Sequence, residues 1–417
     1  MSSSTGAGTG PAAWYCRPAA REWRCVPPPG SALAFHAGLP GYLPTPLVDL
    51  PALAAELGVA RVLVKDESSR LGLPAFKILG ASGAIARLLA RRAGLDGAPA
   101  LAELKHAAAG RGLTLVTATD GNHGRAVARM AGMLGLDAYV IVPRGVPAHA
   151  ASAIAAEGAR VTRVDGTYDQ AVRRAAAYAA SRPDAELVQD LAWPGYEEVP
   201  GWIVEGYATL LHEIDAELAA RGLAQPGMIV VPAGVGSLAQ AVIARYRSRP
   251  AGDGAPSPAT VLSVEPDGAA CVLASLLAGG PRTVPTGVTI MAGLNCGTPS
   301  GAAWPYLRAG LDAAVTVGDA AAIRAVADLA RLGVSSGPSG AAALAGARAA
   351  LTGPGSSRRR SDLGIDGTSA VILLNTEGAA ATGKPMPAAA GKPTSAAAGK
   401  PTSAAAGKPT SAAGSEV

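Results

Sequence analysis

Short apolar runs alternate with longer alanine-rich stretches over most of this chain. The runs Leu113–Thr119, Ala138–Val142, Arg160–Val164, Leu187–Gln189, Met228–Pro232, Val261–Val264 and Ala370–Asn375 are short and bounded by turn residues. That pattern predicts strands. Between them, Arg125–Leu134, Tyr168–Ala180 and Ala320–Leu332 predict helices. Strand, helix, strand repetition of this kind predicts an α/β fold with parallel or mostly parallel sheets covered by helices on both faces. In open sheets of that type, ligands sit in the loops at the carboxyl ends of the strands.

The ends of the chain break the pattern. Residues 1–12 are rich in Ser, Gly and Thr, and residues 383–417 repeat Gly-Lys-Pro-Thr-Ser-Ala-Ala-Ala. Neither has large side chains to offset the entropy of ordering, so both are expected to be disordered.

Composition narrows the class. With 417 residues, 49% of them hydrophobic, the chain can build a large core. Only 4% are aromatic, so alanine must carry much of the helix packing. The net charge of +5 comes partly from the C-terminal lysines and from Arg358, Arg359 and Arg360, which does not point to nucleic acid. No apolar run is long enough to span a bilayer, and no basic start precedes an apolar stretch, so a cytoplasmic protein is expected. The cysteines, Cys16, Cys25, Cys271 and Cys296, lack zinc-ligand spacing, and no metal site is expected.

Three segments carry candidate chemistry. Lys77 is the only charge between Arg70 and Arg87, and Phe76, Ile78 and Leu79 flank it. A lysine there either snorkels from an apolar helix or serves as a nucleophilic amine that forms Schiff bases. Asp120-Gly121-Asn122-His123-Gly124 follows an apolar run, and Asn122 in it is either a turn residue or a ligand-binding amide. Gly234-Val235-Gly236-Ser237-Leu238 follows the run Met228–Val231. It is either an ordinary tight turn or a cradle of backbone N–H groups for a phosphate.

In this order the segments resemble the fold-type II pyridoxal-phosphate enzymes. Lys65-Asp66-Glu67-Ser68, Ala75-Phe76-Lys77, Thr119–Arg125, Trp193–Glu198, Met291–Leu294 and Asn375–Gly378 together are similar to the diaminopropionate ammonia-lyase family. The similarity runs from about Tyr42 to about Gly378. It implies two lobes: a large one from residues 13–84 and 201–382, and a small one from residues 85–200. It implies that Lys77 carries pyridoxal 5′-phosphate, that Gly234, Val235, Gly236, Ser237 and Leu238 hold the phosphate, and that Asn122 bonds the 3′ oxygen. Thr376 would place a hydroxyl facing the pyridine nitrogen. Asp120 and Asp190, otherwise readable as caps or turn residues, gain a catalytic role beside a substrate with a second ammonium group. Lys77 and Asp120 would act as bases on opposite faces of Cα.

The expected reaction is α,β-elimination of 2,3-diaminopropionate to pyruvate and ammonia by a homodimer acting on a small amino acid. A serine or threonine dehydratase and a cofactor-binding protein without turnover are the alternatives. Pro74, Pro338 and Ala379-Ala380-Ala381 depart from the family pattern and leave the surroundings of the pyridine nitrogen open. Cys271 and Cys296 lie in segments similar to the family's, where they either form a disulfide near the substrate entrance or stay free in a reducing compartment.

Overall fold

A computed structural model of the chain describes residues 13–26, 32–97, 99–119, 121–248 and 258–379. The leader, the C-terminal repeat region and Asp120 lie outside the described residues. Among the described residues eleven strands form two sheets. They are β1 (Trp14–Cys16), β2 (Leu47–Asp49), β3 (Arg61–Asp66), β4 (Thr114–Ala118), β5 (Asp137–Pro143), β6 (Arg160–Val164), β7 (Ala185–Leu187), β8 (Met228–Pro232), β9 (Thr260–Pro266), β10 (Ala313–Val317) and β11 (Ala370–Asn375). The seven-stranded sheet has the order β1-β10-β9-β8-β11-β3-β2, and the four-stranded sheet the order β6-β5-β4-β7. All pairings are parallel except the two at the edges of the large sheet, β1 with β10 and β2 with β3.

The large sheet is buried on both faces, and its residues sort by parity, as successive side chains of a strand must. Leu63, Ile229, Val231, Val261 and Ile372 face a core shared with the helices Lys77–Ala93, Asn122–Leu134 and Glu198–Ala220. Their neighbours Val62, Val64, Met228, Val230, Leu262 and Val371 face a second core beneath the helix Pro338–Leu351. A third cluster, with Val116, Ile141 and Val172, covers the outer face of the small sheet. Each fully buried aliphatic side chain of this kind stabilises the fold by about 1.5–3 kcal/mol.

Small residues let the helices approach closely. A Cβ on Gly206 would lie 2.4 Å from the Leu79 carbonyl oxygen and 2.8 Å from the Gly80 Cα. The helix Glu198–Ala220 is therefore pressed against the first turns of Lys77–Ala93, which fixes the helix that begins with Lys77.

Six strands expected from the sequence match those observed within a residue or two, and the run expected at Leu187–Gln189 is a strand only over Ala185–Leu187. Strands β1, β2, β3 and β10 were not expected. β3 ends in charged Lys65 and Asp66, three of the five residues of β10 are alanine or threonine, and β1 and β2 have three residues each.

Candidate active site

Lys77 opens its helix, and the segment before it is tied to the end of β11. Phe76 N–H donates to the Thr376 carbonyl at 3.2 Å, and Ala75 pairs with Glu377. The Lys77 side chain keeps 22% exposure, enough for a ligand to reach its amine. Nζ donates to Asp190 Oδ2 at 2.6 Å. The Phe76 ring, whose centroid is 5.6 Å from Nζ, packs on Tyr207 with centroids 4.7 Å apart. Tyr207 is fully buried beside Lys77, and burial pushes its hydroxyl up to about 12.

Asp190 follows the short strand β7. Val188 N–H still bonds the Val116 carbonyl at 2.8 Å, which extends the strand line to the site. Gln189 Nε2 reaches Asp190 Oδ1 at 3.4 Å, and Ser237 Oγ donates to the Asp190 carbonyl at 3.1 Å. Burial alone would raise the Asp190 carboxyl, but the neighbouring Lys77 ammonium holds it well below the usual carboxylate range. It is therefore a buried anion at neutral pH.

Asn122 and His123 open the helix Asn122–Leu134. Thr119 Oγ1 accepts from the N–H groups of Gly121 and Gly124 at 3.0 and 3.1 Å, which shapes the turn. Gly124 must be glycine, because a Cβ there would lie 2.3 Å from Thr119 Cγ2 and 2.8 Å from Val140 Cγ1. Asn122 Nδ2 donates to Glu377 Oε2 at 2.8 Å. The other Glu377 oxygen accepts the Ser339 N–H at 3.0 Å in the first turn of the helix Pro338–Leu351. Pro338 sits at the first position of that helix, where its missing N–H costs nothing. Burial raises the Glu377 carboxyl above its ordinary value. Thr376 is buried between these contacts and the Lys77 segment.

The glycine loop follows β8. Gly236 has φ +94°, a left-handed conformation that favours glycine, and the eleven-residue helix Ser237–Arg247 begins directly after it. Ser300 N–H donates to the Val235 carbonyl at 2.8 Å and holds the loop from behind. The N–H groups of Gly234, Val235, Gly236, Ser237 and Leu238 make no hydrogen bond to another of the described residues. A row of unsatisfied amides at the positive end of a helix fits a phosphate dianion. With the accessible Lys77 amine, it meets the requirements for binding pyridoxal phosphate.

The two cysteines flank the same loop. Cys271 Sγ donates to the Gly234 carbonyl at 3.6 Å, and a Cβ on Gly234 would lie 2.9 Å from Cys296 Sγ. Neither Cys271 nor Cys296 is joined in a disulfide, so the disulfide alternative is not realised in this structure. Burial raises the Cys271 thiol strongly and keeps it protonated.

A buried ion network supports the Lys77 segment from behind. Glu213 accepts from Lys65 Nζ at 2.5 Å and from Arg70 Nη1 and Nη2 at 2.7 Å each. Arg70 also forks onto Glu67 at 2.7 and 2.8 Å. Two cations and two anions balance, and Thr45 and Tyr42 supply further hydrogen bonds to the carboxylates. Burial would raise Glu213, but Arg70 and Lys65 bring it down to about 2. Sequence reasoning singled out Lys77, Asp190, Asn122, Thr376 and the glycine loop, and the structure brings these together. It missed His123, Glu377, Tyr207 and Glu213. The first two share motifs with Asn122 and Thr376, whereas Tyr207 and Glu213 sit in a long apolar helix that gives no such sign.

A family model for pyridoxal-phosphate-dependent enzymes matches residues 39–360. The diaminopropionate ammonia-lyase of Escherichia coli K12 is 41% identical over 280 residues, covering 66% of this chain and 68% of the relative. That of Salmonella typhimurium is 37% identical over 362 residues, covering 83% and 88%. This chain belongs to the diaminopropionate ammonia-lyase family. The crystal structure of the E. coli enzyme in complex with an aminoacrylate–PLP azomethine reaction intermediate superposes with a TM-score of 0.73 at 35% identity, covering 84% of this chain and 88% of that one. The mouse L-serine dehydratase/L-threonine deaminase is more distant, 29% identical over 49% of this chain.

Proposed function

We propose that this chain is a lyase that converts 2,3-diaminopropionate and water to pyruvate and two molecules of ammonia. Pyridoxal phosphate, when bound, supplies the electron sink that acidifies the Cα proton of the amino acid attached to it. Lys77 would hold that group covalently, the amides of Gly234 to Leu238 its phosphate, Asn122 its 3′ oxygen, and Thr376 would face its ring nitrogen. The amine of Lys77 would also take a proton from one face of Cα, with Asp120 serving the other face.

The observation that carries the reading is the 2.6 Å contact between Lys77 Nζ and Asp190 Oδ2. Asp190 is kept ionised in a buried place shaped for an ammonium group. When the nitrogen of Lys77 is engaged, the β-ammonium of diaminopropionate can fill that place and be aligned for departure. A hydroxyl leaving group would have no use for a buried anion there, which disfavours a serine dehydratase. Residues 85–200, with the small sheet, would form one lobe. Residues 13–84 and 201–382 would form the other, with the helices Lys77–Ala93 and Glu198–Ala220 crossing the two division points. No helix among the described residues is long and apolar enough to cross a membrane. A cytoplasmic homodimer completes the proposal, and light scattering of the purified protein tests its oligomeric part.

The function is tested by assaying ammonia and pyruvate over a panel of amino acids that includes both enantiomers of diaminopropionate. The proposal expects diaminopropionate to be turned over well above serine and threonine. Serine turned over faster would make the chain a dehydratase.

A further inference from the structure

His123 has a buried nitrogen with nothing to bond. Its Nε2 lies 2.8 Å from the Val188 carbonyl oxygen, which can only accept, so Nε2 carries the hydrogen. Burial lowers the proton affinity of the ring, and the ring is neutral. Its Nδ1 is then a bare lone pair, buried and without a hydrogen-bond partner. That lone pair lies 3.9 Å from Asp190 Oδ2, the same oxygen that accepts from Lys77 Nζ at 2.6 Å. One carboxylate oxygen thus has a proton donor on one side and an unused proton acceptor on the other. The charged groups facing the ring are Asp190, on the loop after β7, and Lys77, on the neighbouring helix. The Tyr207 hydroxyl, from the helix Glu198–Ala220, faces Lys77 and Asp190.

We propose that His123 is a positioning residue that stores, next to Asp190, the proton that Lys77 must give up to become a neutral amine. In one arrangement Lys77 is an ammonium, Asp190 an anion and His123 neutral. In the other the N–H bond at Nζ is broken, an N–H bond at Nδ1 is formed, and the imidazolium pairs with Asp190. The three groups sum to zero charge in both. The buried site therefore neither expels a proton to solvent nor leaves Asp190 without a counter-ion. The ring and the carboxylate need to close by about 1 Å to reach the 2.7–2.9 Å of a charge-assisted bond. This rests on the reading of Lys77 and Asp190 as the working pair, and its test needs neither cofactor nor turnover.

The experiment is nitrogen-15 NMR of histidine-labelled, cofactor-free protein, with His123 assigned among the five histidines by His123→Gln. In the wild type His123 should remain the neutral, Nε2-protonated form near neutral pH. In Lys77→Met the titration midpoint of His123 should rise by at least one pH unit, about a tenfold gain in proton affinity. In Lys77→Met with Asp190→Asn the rise should vanish. A midpoint unmoved by Lys77→Met, or a rise that survives Asp190→Asn, overturns the proposal.

If Lys77→Met does not fold, His123→Gln decides the matter, because its amide can still donate to the Val188 carbonyl. Amine labelling of Lys77 in cofactor-free protein should then need a pH about one unit higher than in the wild type. In loaded enzyme kcat should fall about tenfold with KM nearly unchanged. A labelling profile identical to that of the wild type overturns the proposal, whatever the substrate proves to be.

Discussion

Asn122 donates to the Glu377 carboxylate at 2.8 Å and so joins the first turn of a helix beside the small sheet to the residues after the last strand of the large one. The same carboxylate caps the helix Pro338–Leu351 through Ser339. Asn122 is thus aimed by a group that follows the other sheet's last strand, a contact that would hold its amide in place for the cofactor under the proposed function.

Replacing Glu377 with Gln turns one of its acceptors into a donor that confronts Asn122. Hydrogen bonds to a charged partner contribute about 1.5–3 kcal/mol each. We expect Glu377→Gln to weaken cofactor binding by about tenfold and lower stability by about 1–2 kcal/mol. Equilibrium dialysis and urea unfolding read these two effects, and unchanged cofactor affinity would remove the aiming role.

Gly206→Ala separates packing from propensity. In an open helix the change would stabilise by about 1 kcal/mol. Here the new Cβ would lie 2.4 Å from the Leu79 carbonyl oxygen, and overpacking costs about 1–3 kcal/mol. A net loss of stability in urea is expected, together with reduced activity because the helix that starts at Lys77 must shift. A stabilised variant would mean that the two helices do not cross this closely.

Acid should attack the Glu213 network first. The folded value of Glu213 is about 2 against an ordinary 4.5, so it is depressed. A depressed carboxylate contributes stability that is present above its unfolded value and is lost as the pH falls through the folded one. Asp190, also held low, adds in the same direction. Stability should therefore fall between about pH 4.5 and about pH 2, and Glu213→Gln should flatten that fall while lowering stability at pH 7. Urea unfolding across this range gives the slope. An equal slope in the variant would assign the acid sensitivity to other groups.

Asp190→Ala should be selective between substrates. Removing the anion takes away the partner of a β-ammonium but nothing that a β-hydroxyl needs. Turnover of diaminopropionate is expected to fall about 100-fold or more with KM raised, and any activity on serine to change much less. Equal losses on both substrates would assign Asp190 to holding Lys77 alone.

Much of this was legible in the sequence, for identifiable reasons. The central strands β4, β5, β6, β8, β9 and β11 are short, apolar and bounded by turns, so their pattern is local. Lys77 stood out because a lone charge in an apolar stretch needs an explanation. Local pattern alone made Asp190 an aspartate after a strand, and only the family resemblance singled it out, because its partner lies 113 positions away. β3 stayed hidden because Lys65 and Asp66 look like the end of a strand exposed to water, when both are tied inward. Lys65 bonds Glu213, and Asp66 accepts from Asn375. Glu213 and Tyr207 acquire their roles only when their helix is laid against Lys77–Ala93, and no local spacing encodes that contact.

The measurement that tests the account most directly is borohydride reduction of the protein loaded with pyridoxal phosphate, followed by peptide mapping. The account predicts a single pyridoxyl label on Lys77, loss of that label and of the associated absorbance band in Lys77→Ala, and a Lys77→Ala variant that remains folded. Lys65 cannot substitute, because it is buried and committed to Glu213 at 2.5 Å. A label found on Lys65 or any other lysine, or a band that survives Lys77→Ala, would contradict the account.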